Sequence, residues 1–176
     1  MTITVRPAQT TDATGLAELA SVTFPLACPP GSAPEAIAEY IATNLAERNF
    51  LDYLADPARV ITVAADDSVL CGYTMLITGE PGDVDVAAAI GIRPTIELSK
   101  VYVLPGSHGR GVAAPLMDAT LDAARGSGAT GIWLGVNQLN ARARRFYEKS
   151  GFAVVGEKSF RLGPELHNDF VMERAL

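Results

Sequence analysis

The segment Leu98-Ser99-Lys100-Val101-Tyr102-Val103-Leu104-Pro105-Gly106-Ser107-His108-Gly109-Arg110-Gly111-Val112-Ala113-Ala114-Pro115-Leu116-Met117 carries the clearest chemistry in the chain. Alternating, β-branched residues read as a strand that stops at Pro105, a glycine-rich turn follows, and apolar residues then recur at helical spacing. A polyphosphate needs backbone N–H groups aimed at it, no side chains in the way, and the positive end of a helix dipole. Gly109 and Gly111 ahead of a helix start offer all three. A P-loop would need Lys-Ser/Thr after its last glycine, where Val112-Ala113 stands, and a dinucleotide fingerprint would need three glycines in G-x-G-x-x-G order. Neither is present. A glycine turn of this kind is also a common way to join a strand to a helix in α/β proteins, so the loop taken alone leaves both readings open.

A second segment decides between them. Trp133-Leu134-Gly135-Val136-Asn137 reads as a buried strand, and Asn140 to Phe152 as a capped helix that closes on Gly151. His108 to Ala113 resembles Q/R-x-x-G-x-G/A, the pyrophosphate signature of the GNAT superfamily of acetyl-CoA-dependent N-acetyltransferases, with His108 where Gln or Arg is usual. Asn140 to Phe152 resembles the superfamily's N-x-x-A-x-x-F-Y-x-x-x-G-F at every specified position. The resemblance implies an α/β (α+β) fold: a mixed, mostly antiparallel sheet of about six to seven strands, flanking helices, and a splay between two central parallel strands. It implies acetyl-CoA as co-substrate, held by Val101, Tyr102, Val103, His108, Gly109, Arg110, Gly111, Val112, Ala113, Asn140, Phe146 and Tyr147, with no metal.

The same resemblance assigns chemistry. An amine attacking a thioester must be neutral, yet an alkyl ammonium has a pKa of about 10, so its proton must be taken. Glu97 stands where many GNAT enzymes carry a general base, acting directly or through water. Tyr147 matches the tyrosine that many members use as general acid toward the leaving thiolate. A thiol pKa of ~8.5 lies below that of a phenol, so hydrogen-bond stabilisation without full transfer is the alternative. Asn140 is both a helix cap and a cofactor contact on this reading. Val101 and Val103 offer main-chain groups to an extended pantetheine arm, as in strand addition. Phe24, Tyr40, Glu97 and Val136 are the candidate acceptor-site residues, with Tyr53 a further lining candidate from the same early helical region.

Composition bounds the rest. The 176 residues match one ordinary domain, spanning 1–176, and 48% hydrophobic content suffices for a core. A net charge of −6 argues against a nucleic-acid surface; it favours cationic small molecules as partners, or simply keeps an acidic surface solvated. Cys28 and Cys71 share no ligand spacing, and with two His in the chain a zinc site is not expected. Free thiols and the lack of a leader pattern or a membrane-length apolar run predict a cytoplasmic protein without membrane contact. A homodimer is left open.

The elements that must position these residues follow in order. A strand ends at Pro7, and Thr10-Thr11-Asp12 offers caps for a first helix. Phe24 to Gly31, with three prolines, is expected to be a loop. Ser32-Ala33-Pro34-Glu35 reads as a capping box opening a helix to about Asn44 or Ala46, followed by a short helix ending before Pro57. Strands are expected at Val60–Ala64, Val69–Ile77 and Ile96–Val103, with a flexible, partly helical excursion over Val84–Arg93. Helix Gly111–Arg125, strand Thr130–Asn137, helix Asn140–Lys149, and strands Phe152–Arg161 and Phe170–Arg174 complete the chain.

Within the superfamily the chain resembles the PaiA type of bacterial spermidine/spermine N-acetyltransferases, through Thr23-Phe24, Glu97-Leu98, Ile132-Trp133-Leu134-Gly135-Val136 and Ser159-Phe160-Arg161-Leu162-Gly163 with Asp169. Where that type continues with Trp-Glu, this chain has Asn137-Gln138, which removes a carboxylate. The expected activity is transfer of acetyl from acetyl-CoA to a primary amine of a small molecule, a polyamine in the first instance. A peptide or protein acceptor, or a non-catalytic acetyl-CoA-binding module, are the alternatives.

Overall fold

Alternating apolar residues build strands that a computed structural model, describing residues 2–107 and 109–176, assembles into one seven-stranded sheet. The chain runs β1 (Ile3–Pro7), α1 (Ala13–Ala27), α2 (Pro34–Asn44), α3 (Glu47–Ala55), β2 (Arg59–Asp66), β3 (Val69–Thr78), α4 (Val84–Ala89), β4 (Thr95–Val103), α5 (Ala113–Gly126), β5 (Gly131–Asn137), α6 (Ala141–Lys149), β6 (Ala153–Leu162) and β7 (Glu165–Ala175). In the sheet the order is β1-β2-β3-β4-β5-β7-β6. Every neighbouring pair is antiparallel except β4 and β5, whose parallel pairing requires a crossover that α5 supplies. The β2–β3 hairpin turns on Asp67 and Ser68, both at positive φ (46° and 81°), the backbone of a tight two-residue turn.

Helices cover both faces. Leu16, Leu19, Ala20 and Phe24 of α1 pack with Ala36 of α2 and Phe50 of α3 against Ile61, Val63, Tyr73 and Met75 of the sheet. On the opposite face Met117, Leu121 and Ala124 of α5 and Tyr147 of α6 pack on Ile96, Leu98, Ile132, Leu134 and Met172. The strand periodicity sends odd and even residues to these two cores.

The parallel pairing is short. Thr95, Ile96 and Glu97 register with Gly131, Ile132 and Trp133, and there it ends. Beyond Glu97 the two strands are held by their outer neighbours alone, β4 by β3 and β5 by β7, so a wedge opens between them. On β4 the register jumps from Leu76↔Leu98 to Met75↔Lys100, leaving Ser99 as an extra, bulged residue. The bulge puts Lys100 and Tyr102 on the same face as Glu97.

Two local expectations are corrected. Phe24–Ala27 is helical, not loop: α1 continues through Pro25 to Ala27 because Thr23 and Phe24 complete its buried stripe, and it stops only at Cys28, ahead of Pro29. Cys28 Sγ donates to the Phe24 carbonyl at 3.3 Å in that last turn. Ser32 does not cap α2 either. Its hydroxyl donates to the Pro29 carbonyl, the N-cap position is Ala33, and Glu165 Oε1 accepts the Ala33 N–H from across the chain.

Gly131 fixes the closed end of the wedge. A Cβ there would lie 2.7 Å from Cβ of Ile92, which no side-chain rotation moves, as well as 2.7 Å from its Cγ2 and 3.2 Å from its carbonyl oxygen. Gly131→Ala is therefore expected to lower stability by about 1–3 kcal/mol in urea unfolding, whereas Gly82→Ala, where a Cβ meets nothing within 4 Å, should stay near wild type.

Candidate functional site

The wedge is filled by two adjoining spaces. On the α5/α6 side lies a groove of about 500 Å³, lined by Val101, Tyr102, Val103, Gly109, Ala113, Asn140, Phe146 and Tyr147. On the α1/α2 side lies a cavity of about 300 Å³, lined by Phe24, Tyr40, Glu97, Lys100, Val136, Lys158, Phe160 and Asp169 among others. Ala27, Val101, Tyr102, Asn140, Ala143 and Tyr147 border both. The structure thus brings Phe24, Tyr40, Glu97, Val136, Asn140, Phe146, Tyr147 and the β4 residues Val101 to Val103 around one wedge with Gly109 and Ala113, while Arg110, Gly111 and Val112 line neither space.

The groove ends at the glycine turn. Gly109 and Gly111 have φ of +78° and +75°, and a Cβ on either would meet no atom within 4 Å, so the face of this loop is open. Val112, at the N-cap of α5, offers no side-chain hydrogen bond to the first helical turn. A helix cannot pair its own first N–H groups, and a loop of this shape fits a polyanion through main chain. Side chains contribute less than expected. Val112 is 1% exposed and packs with Ala64, Cys71 and Leu116, and Arg110 ion-pairs with Asp66 of β2 at 3.1 Å. His108 lies outside the described residues.

At the junction Tyr147 is 9% exposed, and burial pushes its hydroxyl pKa well up, so it is a proton holder at neutral pH. Its position follows from the helix: Asn140 Oδ1 accepts the Ala143 N–H at 3.1 Å, capping α6, while Tyr147 packs edge-on against Phe152.

The cavity has one aromatic wall and one charged wall. Phe24 and Tyr40 stack with centroids 4.5 Å apart at 9°, and Phe160 meets Tyr40 edge-on at 6.0 Å. Tyr53 is not part of it: its hydroxyl donates to the Asn44 carbonyl and its ring lies under the Arg59 guanidinium at 4.6 Å. Glu97, the last β4 residue paired with β5, lines the cavity. Burial raises its carboxyl pKa, against the opposing pull of Lys158, Lys100 and Arg59. The Lys100 ammonium is pushed down to about 8 by burial, helped by Arg59 and opposed by Glu97. Lys158 pairs with Asp169 at 3.6 Å. A side recess of about 320 Å³ beyond Glu97 is bordered by Trp133, whose buried Nε1 has no hydrogen-bond partner among the described residues.

Lys100, Lys158 and Asp169 were not among the sequence-derived site residues. In an unbroken strand Lys100 would face away from Glu97, and no sequence pattern marks Ser99 as a bulge. Lys158 and Asp169 meet only because β6 and β7 pair in the register Lys158↔Asp169. Gln138 donates to Glu157 at the surface and does not line the cavity, whereas Asn137 does. Among the described residues no group of three or more His, Cys, Asp or Glu could hold a metal, and no helix is long and apolar enough to cross a membrane.

The model of the acetyltransferase (GNAT) family matches residues 18–152. An uncharacterised N-acetyltransferase of Mycobacterium tuberculosis (strain ATCC 25618 / H37Rv) is 50% identical over 166 residues, 94% of this chain and 99% of that protein. An uncharacterised N-acetyltransferase of Lactobacillus delbrueckii subsp. lactis is 26% identical over 146 residues, 82% of this chain and 81% of that protein. Among solved structures, the PaiA N-acetyltransferase of Thermoplasma acidophilum in complex with coenzyme A shares the fold at a TM-score of 0.78 and 21% identity, each chain covered completely.

The cap of α6 gives a separable expectation. Asn140→Ala should cost about 1 kcal/mol of stability in chemical denaturation, and Asn140→Asp or Asn140→Ser should restore most of it, since each keeps an acceptor for the Ala143 N–H.

Proposed function

The chain belongs to the acetyltransferase (GNAT) family and is an N-acetyltransferase, and from that premise we propose that it transfers an acetyl group from acetyl-CoA to the primary amine of a small molecule, by direct attack within a ternary complex. The observation that carries this reading is the junction of groove and cavity at Tyr147, with a proton holder at the junction and a carboxylate on the cavity side.

Acetyl-CoA, when bound, supplies a thioester carbonyl carbon for the amine and a thiolate to depart. The loop from Gly109 to Ala113, with His108, is assigned to the pyrophosphate. The unpaired edge of β4 from Leu98 to Val103 is assigned to the extended arm, with Asn140 and Phe146 along the opposite wall. Glu97 accepts the proton that the acceptor ammonium must lose, and the lysines around it keep its charged form available despite burial. As the new N–C bond forms and the C–S bond breaks, the Tyr147 hydroxyl holds or protonates the sulfur that leaves with the bonding pair. Direct attack is favoured over an acyl-enzyme because the one thiol lining the cavity, Cys28, is pushed up to about 11 by burial and stays protonated at neutral pH. The two unpaired cysteines support a cytoplasmic setting.

A polyamine acceptor draws support from the net charge of −6. Two lysines on the cavity wall weigh on the other side.

Glu97→Gln should lower kcat by about 100-fold or more. The wild-type rate should fall as pH drops through the raised pKa of Glu97, above the ordinary carboxylate range, and this limb should vanish in the variant. The sign for stability is opposite. A carboxyl whose pKa is higher folded than unfolded loses stability as pH rises through that window, so Glu97→Gln should not lower Tm at pH 7. Tyr147→Phe should keep coenzyme A affinity in calorimetry and lower turnover roughly 10–1000-fold; an unchanged rate removes Tyr147 from the chemistry.

A further inference from the structure

Glu97 and Lys100 face the same cavity with opposite charges, yet they do not approach within ion-pairing distance of each other. Neither side chain has a hydrogen bond or ion pair among the described residues. The other charges around them are already matched: Lys158 with Asp169 at 3.6 Å, and Arg59 with Asp56 at 3.1 Å and with the Tyr53 ring. One negative and one positive group are therefore left without a direct protein partner on the wall of the cavity, held on one face by the Ser99 bulge. Both charged ends are open to the cavity, and a ligand carrying the inverse pair would meet each with a charge-assisted contact.

We propose that the acceptor is a zwitterion of the α-amino acid type, its ammonium against Glu97 and its carboxylate against Lys100. This rests on the reading of the cavity as the acceptor site. The aromatic wall of Phe24, Tyr40 and Phe160 takes the side chain, and a cavity of about 300 Å³ accommodates a molecule of that size. A polycation would set a second ammonium beside Lys100 with no free carboxylate to receive it. An amine without an anionic group would leave Lys100 unpaired. The balance of the step is unchanged: the amine forms the N–C bond, its proton goes to Glu97, and the sulfur departs with the C–S bonding pair.

The test is steady-state thiol release from acetyl-CoA with the twenty L-α-amino acids, spermidine, and, for the best amino acid, its primary amide and its decarboxylated amine. Wild type should prefer the free acid over its amide by about ten-fold or more in kcat/KM, the value of one charge-assisted contact. Lys100→Met removes the charge at similar length and a buried cation with it, so Tm should not fall, and the acid-to-amide ratio should collapse toward one. A preference for spermidine, the amide or the plain amine overturns the proposal, as does a ratio that survives Lys100→Met. If no amine releases thiol, the acetyl-transfer reading has failed instead. The charge reading is then decided by calorimetric titration of the same amino acids into coenzyme A-saturated protein. Binding of an acid but not its amide, lost in Lys100→Met, supports it, and no binding of any overturns it.

Discussion

The whole arrangement depends on three residues of parallel pairing, Thr95–Glu97 against Gly131–Trp133. Because each central strand is secured along its outer edge by a long antiparallel ladder, the sheet tolerates losing the inner ladder beyond Glu97. Unpaired backbone is usually a liability in a sheet. Here it is the resource, since β4 from Leu98 onward presents main-chain groups to whatever enters the wedge. The closed end places Glu97 at the apex, and the open end lies beside the glycine turn at the head of α5.

The two faces of the sheet divide the work. The α5/α6 side supplies open backbone, the Gly109–Ala113 loop and the capped helix that carries Phe146 and Tyr147. The α1/α2 side supplies aromatic surface and ionisable groups, where the bulge at Ser99 sets the charge pattern. Tyr147 borders the spaces on both sides. Two of these groups, Glu97 and Lys100, are each shifted toward neutrality by burial, so both detract from stability at neutral pH. Such placements are characteristic of groups that meet a ligand.

Much of this was legible in the chain itself. Glycine spacing, the Asn140 cap and the Phe146-Tyr147 pair are local signals, and Gly109, Asn140, Phe146 and Tyr147 line one groove. The elements followed from period and punctuation, with β4, α5, β5 and α6 within two residues of expectation. The failures share a cause. Pro25 by its own preference points to a loop, but burial of Phe24 carries the helix past it. Lys100 belongs to the site only through a one-residue slip in register, and Lys158 with Asp169 only through a hairpin pairing; both are tertiary facts that no local pattern encodes. The proposed acceptor contacts rest on those tertiary facts.

The central claim, that coenzyme A is held by the open edge of β4 and the loop after it, is tested most directly by hydrogen–deuterium exchange of the protein with and without coenzyme A. The account predicts slowed exchange across residues 98–114, with little change in the β1–β2 pairing on the far side of the sheet. Protection confined to other segments, or none at saturating coenzyme A, would contradict it.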